Sequence, residues 1–231
     1  RLHERLACPI RGDNDPAVSA WRRSPADPNL RFGAHAQCTR GLWHVGAQPV
    51  LGRIDPTTLR GLARLAQDYG DGTLRMTPWQ SVLLPDIASQ AVRTVETALD
   101  AMGLLRDARH PLARTITCAG SSGCSRSHAD TKADALALAA LLPDGVEVHL
   151  SGCVRSCAAA HCAPYTLLAI EPGRYDLYRR CADPADHACA ASSTDEELAA
   201  RRFGRRIATH LTIAEVADAL GSAARRSDSH A

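Results

Sequence analysis

Four of the nine cysteines stand in two tight pairs: Cys118 and Cys124 have five residues between them, Cys153 and Cys157 three, and 28 residues separate the pairs. Thiolates so placed can ligate a metal ion, hold an iron–sulfur cluster or close disulfides. The chain shows no secretion pattern at its start, and intracellular thiols are kept reduced, so ligation or redox work is the expectation. Glycines accompany both pairs, Gly120 and Gly123 in "CAGSSGC" and Gly152 in "SGCVRSC". They let a loop wrap closely around a compact inorganic body with backbone N–H groups aimed at it. Zinc ribbons use shorter knuckles than a five-residue gap, whereas clusters accept wider and unequal spacing. A [4Fe–4S] cluster on Cys118, Cys124, Cys153 and Cys157 is the first reading; zinc and no metal remain the alternatives.

The other cysteines carry less. Cys162, beside His161, could touch the surroundings of such a cluster or a separate iron, and otherwise reads as a small buried hydrophobe. Cys181, Cys189 and His187 lack tight ligand spacing, and Cys8 and Cys38 read as free thiols in an irregular lead segment. His149, on a strand before Cys153, reads as a satisfied core histidine, and "RRFGRR" at 201–206 as a solvated basic surface.

These residues need elements to position them. Residues 1–40, with Pro9, Pro16, Pro25 and Pro28, read as an irregular linker. "LWHVGAQPVLG" predicts a strand, and Asp55 followed by Pro56 a helix start. Leu59, Leu62, Ala63, Ala66 and Tyr69 form the inner stripe of that helix, which Gly70 ends. "TLRMT" and "SVLLP" are two short strands joined at "PWQ", followed by a helix with Val92, Val95, Leu99 and Met102 inward. Strand, helix, two strands, helix is the order of a ferredoxin-like α+β half-domain. Beyond it, "RTITC" delivers Cys118. An Ala-rich helix is expected to begin near Cys124, its positive end favouring thiolate, with Ala129, Ala133, Leu136, Ala137, Ala140 and Leu141 inward. "VEVHL" delivers Cys153, "YTLLAI" and "YDLYRR" form a hairpin, and residues 181–200 form a surface insertion. A final helix is capped by Thr212 and Glu215 and ends at Gly221.

Bulk composition narrows the partners. A net charge of +2 without a Lys/Arg stripe, and 4% aromatic residues, argue against nucleic acid. No apolar run reaches the roughly 18 residues that span a bilayer. A cytoplasmic protein is the expectation. A chain that begins at Arg1 rather than methionine also reads as a fragment or a trimmed form.

The combination C-x5-C, helix, strand, SGC-x3-C resembles the cluster-binding domain of the sulfite and nitrite reductase superfamily, and "GRIDPTTLRGLARLAQDYGDGTLRMTPWQSVLLPDI" resembles that superfamily's ferredoxin-like half-domain. The resemblance covers about residues 41–180. It implies an α+β fold: a linker over 1–40, a ferredoxin-like half-domain over 41–108, a [4Fe–4S] cluster and tetrapyrrole-binding domain over 109–222, and a disordered tail over 223–231. Within the superfamily, "RMTPWQSVLLP", the short spacer between cysteine pairs and "YTLLAIEPGRYDLYRR" look most like the precorrin-3B synthase branch. Val154, Arg155 and Ser156 replace the asparagine-containing turn usual in the reductases. The implied function is an O2-dependent monooxygenase of cobalamin biosynthesis acting on precorrin-3A, with an O2-activating non-heme iron elsewhere. The first alternative is a siroheme-dependent nitrite or sulfite reductase in which Cys157 bridges cluster and siroheme iron. The second is a non-catalytic electron-transfer module. All three imply an electron donor, and the enzymes imply a missing N-terminal half-domain unit. Both tetrapyrroles are ringed by carboxylates, which guanidinium groups bind in bidentate fashion. Arg75, Arg114, Arg126 and Arg155 are the candidates for that role, and Trp79 could pack under a tetrapyrrole face or serve the half-domain core.

Overall fold

The computed structural model describes residues 27–159, 163–181 and 195–228, with Pro16 and Ala20 besides. The first unit is built on strands β1 (Gly33–Ala36), β2 (Leu42–Ala47), β3 (Arg75–Met76) and β4 (Val82–Ala88). They form an antiparallel sheet in the order β1-β2-β4-β3. Helices α1 (Pro56–Tyr69) and α2 (Val92–Ala101) cover one face. Val45, Leu84 and Ile87 meet Leu62, Leu65, Val95 and Leu99 in a closed core. Asp55 starts α1 as expected: its carboxylate accepts the N–H groups of Thr57 at 2.7 Å and Thr58 at 3.0 Å.

Two expectations shift here. The lead segment is not irregular to residue 40, because Gly33–Ala36 pairs with β2 from Gly33↔Gly46 to Ala36↔Trp43. A four-residue strand is too short for alternation to register. On α1, Leu62, Leu65 and Ala66 are buried while Leu59 and Tyr69 stay exposed. The small sheet covers only the middle turns of the helix.

The second unit is a five-stranded sheet in sequential order: β5 (Thr115–Thr117), β6 (Val148–Ser151), β7 (Tyr165–Glu171), β8 (Arg174–Arg179) and β9 (Arg205–Leu211). β5, β6 and β7 run parallel; β8 pairs antiparallel with β7, and β9 antiparallel with β8. Helices α3 (Thr131–Ala139) and α5 (Ile213–Asp228) pack on one face over Leu150, Leu167 and Tyr175. Helix α4 (Asp195–Phe203) lies on the other, with Ala199 and Phe203 against Leu168 and Tyr178.

Four corrections belong to this unit. Helix α3 begins at Thr131 with Asp130 as its cap, seven residues after Cys124, and it buries Ala135 and Leu138 rather than the exposed Leu136 and Leu141. The basic run 201–206 is not a plain solvated surface: Phe203 is buried, and Arg205 and Arg206 open β9. That strand is an edge with most side chains in solvent, so it lacks the apolar alternation that announces a strand. Within the expected insertion, residues 195–200 belong to α4, while 182–194 lie outside the described residues. The capping box of α5 forms as expected. Thr212 N–H donates to the Glu215 carboxylate at 2.8 Å and Glu215 N–H to the Thr212 hydroxyl at 3.3 Å. The helix continues to Asp228, past the expected end at Gly221 and through part of the expected tail. One internal glycine costs about 1 kcal/mol, too little to stop a helix held by tertiary contacts. Among the described residues no helix is long and apolar enough to cross a membrane.

Candidate functional site at the two cysteine loops

Parallel pairing makes the site. Thr117 of β5 stands opposite Leu150 of β6, and the two strands point the same way. Cys118 follows β5 directly and Cys153 follows β6 by two residues, so both cysteine loops leave the sheet at the same end. The loops are then stitched together. His128 N–H donates to the Gly152 carbonyl at 2.9 Å, and Gly152 N–H points at the Cys118 sulfur at 3.3 Å. The approach is so close that a Cβ on Gly152 would stand 1.8 Å from the Ser127 hydroxyl oxygen. Gly120 takes φ of +72°, and a Cβ there would press on Thr131. Thr131 Oγ1 lies 3.4 Å from the Cys118 sulfur, so the start of α3 attends Cys118 rather than Cys124. Ser151 Oγ donates to the Cys153 carbonyl at 2.7 Å and fixes the exit of β6.

Cys118, Cys124 and Cys153 are half-buried, Cys157 is exposed, and all four are free thiols. The Gly152 N–H directed at the Cys118 sulfur is the kind of donor that a metal-bound thiolate accepts. Among the described residues no three His, Cys, Asp or Glu side chains gather closely enough to hold a single metal ion.

The candidate arginines separate. Arg126 and Arg155, from the two cysteine loops, line one cleft of about 740 Å³ together with His128, Cys153, Tyr178 and Arg206. The first turn of α4 closes its side: Glu196 pairs with Arg206 at 2.5 Å, and Arg206 also reaches Asp176 at 3.2 Å. Arg202 of α4 donates to the Arg155 carbonyl. Burial pushes the Tyr178 phenol above its ordinary value, so it remains a neutral donor. Arg114 is elsewhere. It precedes β5, at the opposite end of the strand from Cys118, where its Nη2 lies 3.8 Å from Asp144 and both Nε and Nη2 are buried without a hydrogen bond. Arg75 lies exposed on the edge strand β3 of the other sheet. Neither lines the cleft. Trp79 is 46% exposed at its turn, outside the half-domain core.

His149 is buried, but not satisfied: Nε2 has no partner, the ring packs against Phe203 at 6.1 Å, and burial lowers its pKa to about 4. Cys8, Cys162, His161, Cys189 and His187 lie outside the described residues; Cys38 is an exposed free thiol and Cys181 is half-buried. Sequence reasoning passed over the joint between the units. Lys132 Nζ donates to the Leu51 carbonyl at 2.5 Å and to Thr117 Oγ1 at 3.1 Å. Gln80 Nε2 donates to the Thr117 carbonyl at 3.1 Å, and Arg53 Nη2 to Ser122 Oγ at 3.1 Å. One local signal existed: Lys132 is a cation in the first turn of a helix, where the macrodipole disfavours it.

Residues 35–102 match the family described as the nitrite/sulfite reductase ferredoxin-like half domain. The chain is 34% identical over 144 residues to the chloroplastic ferredoxin–nitrite reductase of Zea mays, covering 57% of this chain and 25% of that one. It is 33% identical over 129 residues to sulfite reductase [ferredoxin] 1 of Mycolicibacterium paratuberculosis, covering 51% of this chain and 23% of that one. It thus spans about a quarter of the length of these relatives. The solved Mycobacterium tuberculosis NirA protein superposes with a TM-score of 0.65 over 88% of this chain and 38% of its own, at 24% identity. These matches overturn the precorrin-3B synthase expectation: the relatives just named are a nitrite and a sulfite reductase, and they lend no support to precorrin-3A, O2 or a monooxygenase chemistry. The departure that favoured the synthase is slight in structure. The last cysteine pair still turns through a left-handed residue, Ser156 at φ of +55°, a conformation that asparagine also adopts readily. Observed architecture and matched sequence agree: the fold is that of the nitrite/sulfite reductases, with residues 35–102 corresponding to their ferredoxin-like half domain.

Proposed function

We propose that this chain is the cluster-bearing portion of a nitrite or sulfite reductase that draws electrons from a ferredoxin-type donor. The observation that carries the reading is the parallel pairing of β5 and β6, which delivers both cysteine loops to one end of one sheet. Cys118, Cys124, Cys153 and Cys157 would hold a [4Fe–4S] cluster; of these four thiols Cys157 is the exposed one, and it would be the ligand shared with siroheme. Arg126 and Arg155 would take the siroheme carboxylates, in bidentate pairs that a point charge could not match. The bound cofactors supply electron storage and an iron at which nitrite or sulfite is reduced. This chain's residues do the rest: the Gly152 N–H stabilises thiolate at Cys118, and His128, Tyr178 and Arg206 present donors in the cleft. In this reading the chain comprises a half-domain ending near residue 108 and a cluster unit from 109 onward, and a first half-domain unit completes the pocket.

Anaerobic purification tests the reading. Iron and sulfide should each approach about four per chain, the content of a cubane cluster. One zinc per chain without sulfide would overturn it. Restored with its first half, the protein should retain siroheme through gel filtration and reduce nitrite or sulfite.

A further inference from the structure

Two cations converge on the first cysteine loop, and among the described residues no carboxylate forms an ion pair with either. Lys132 is partly buried, sits in the first turn of α3 and donates only to the neutral Leu51 carbonyl and Thr117 hydroxyl. Arg53, from the other unit, donates to Ser122 between Cys118 and Cys124. Among the described residues neither has an ion-pair partner; the neighbouring Asp130 accepts from Ala133 N–H at 3.3 Å as the helix cap. Burial and, next, the charge of Arg53 lower the Lys132 pKa, while the Cys118 thiol and the capping Asp130 carboxylate offset part of this. Partial burial, a like charge and the positive end of a helix each disfavour an ammonium at this position. Its carbonyl partner is also specially presented, since Leu51 takes a left-handed φ of +51°. A cation kept against these terms implies an anion that they flank together.

We propose that Lys132 and Arg53 are positioning residues whose charge compensates an anionic iron–sulfur cluster on the Cys118–Cys124 loop and raises its reduction potential. The inference rests on the cluster reading above. Reduction adds one electron from the donor to the thiolate-held group, with no covalent bond made or broken, so a fixed positive charge nearby favours the reduced form. Because Arg53 and the Leu51 carbonyl belong to the half-domain, the docking of that unit bears on the potential as well.

A redox titration of the anaerobically purified full chain, followed by electron paramagnetic resonance, tests this. Lys132→Met should titrate at a more negative midpoint potential with iron and sulfide unchanged, and Arg53→Gln should shift it the same way by less. Lys132→Arg keeps the charge and should stay near the parent value. Thr117→Val removes one acceptor but no charge and should also stay there, which separates electrostatics from packing. Parent potentials in both charge-removing variants, at full iron content, would overturn the proposal. If Lys132→Met does not load, the exposed Arg53→Gln variant decides. A parent chain holding neither iron nor sulfide overturns the cluster reading itself, a result visible before any substitution is made.

Discussion

At the scale of single residues, His149 shows what a fold will tolerate. Its ring is buried beside Phe203 with Nε2 unpartnered, and its pKa falls to about 4 because burial disfavours the imidazolium. The unfolded chain takes up the proton near pH 6.5, the folded chain only near 4. Between those values the unfolded state binds more protons, so stability declines as pH falls through that window and is unaffected above it. The difference amounts to about 3 kcal/mol. His149→Leu should flatten that decline and cost little at pH 7, since Nε2 makes no hydrogen bond to lose. Denaturant unfolding between pH 4 and 7.5 checks it, and an undiminished slope in the variant would reject the assignment. The strand carrying His149 was legible from sequence; the missing partner was not, because it depends on what α4 brings across the sheet.

Among the elements, the crossing of β6 into its cysteine loop is the tightest point of the site. Gly152 touches Ser127 so closely that a methyl group at 152 would meet its Oγ at 1.8 Å and its Cβ at 2.7 Å. Gly152→Ala should therefore destabilise by about 1–3 kcal/mol, the usual cost of overpacking, and reduce cluster loading. The clashing atoms are the Ser127 side chain, so Ser127→Gly in the same chain should recover much of the loss, a coupling that a double-mutant cycle of unfolding free energies would measure. Strict additivity would show that the contact is not the cause. Glycine beside cysteine signalled a close approach in the sequence, yet the partner, 25 positions away, could not be read from local pattern.

For the whole molecule, the cleft decides which arginines can act together. Arg126 and Arg155 share it; Arg114 and Arg75 do not. On the proposed reading, alanine at Arg126 or Arg155 should weaken siroheme binding roughly ten- to a hundredfold with the cluster's sulfide content unchanged, since a charge-assisted pair contributes about 1.5–3 kcal/mol. Lysine should restore part of it, and alanine at Arg75 should change nothing. Siroheme titration of the protein joined to its first half reads this out. Parent affinity in both the Arg126 and the Arg155 alanine variants would return these arginines to the surface.

The sequence by itself determined the thiol set, the α+β order, the capped starts of α1 and α5, and the turns between them. These follow from local causes: caps act over three residues, periodicity over a dozen, glycine within its own loop. Tertiary structure alone decided that α3 attends Cys118, that Lys132 joins the two units, that β9 closes the sheet edge and that Arg114 faces away from the thiols. Each depends on strand register and on packing between residues far apart in the chain. No local pattern encodes those, because a parallel pair is joined by a long crossover whose length does not set the register.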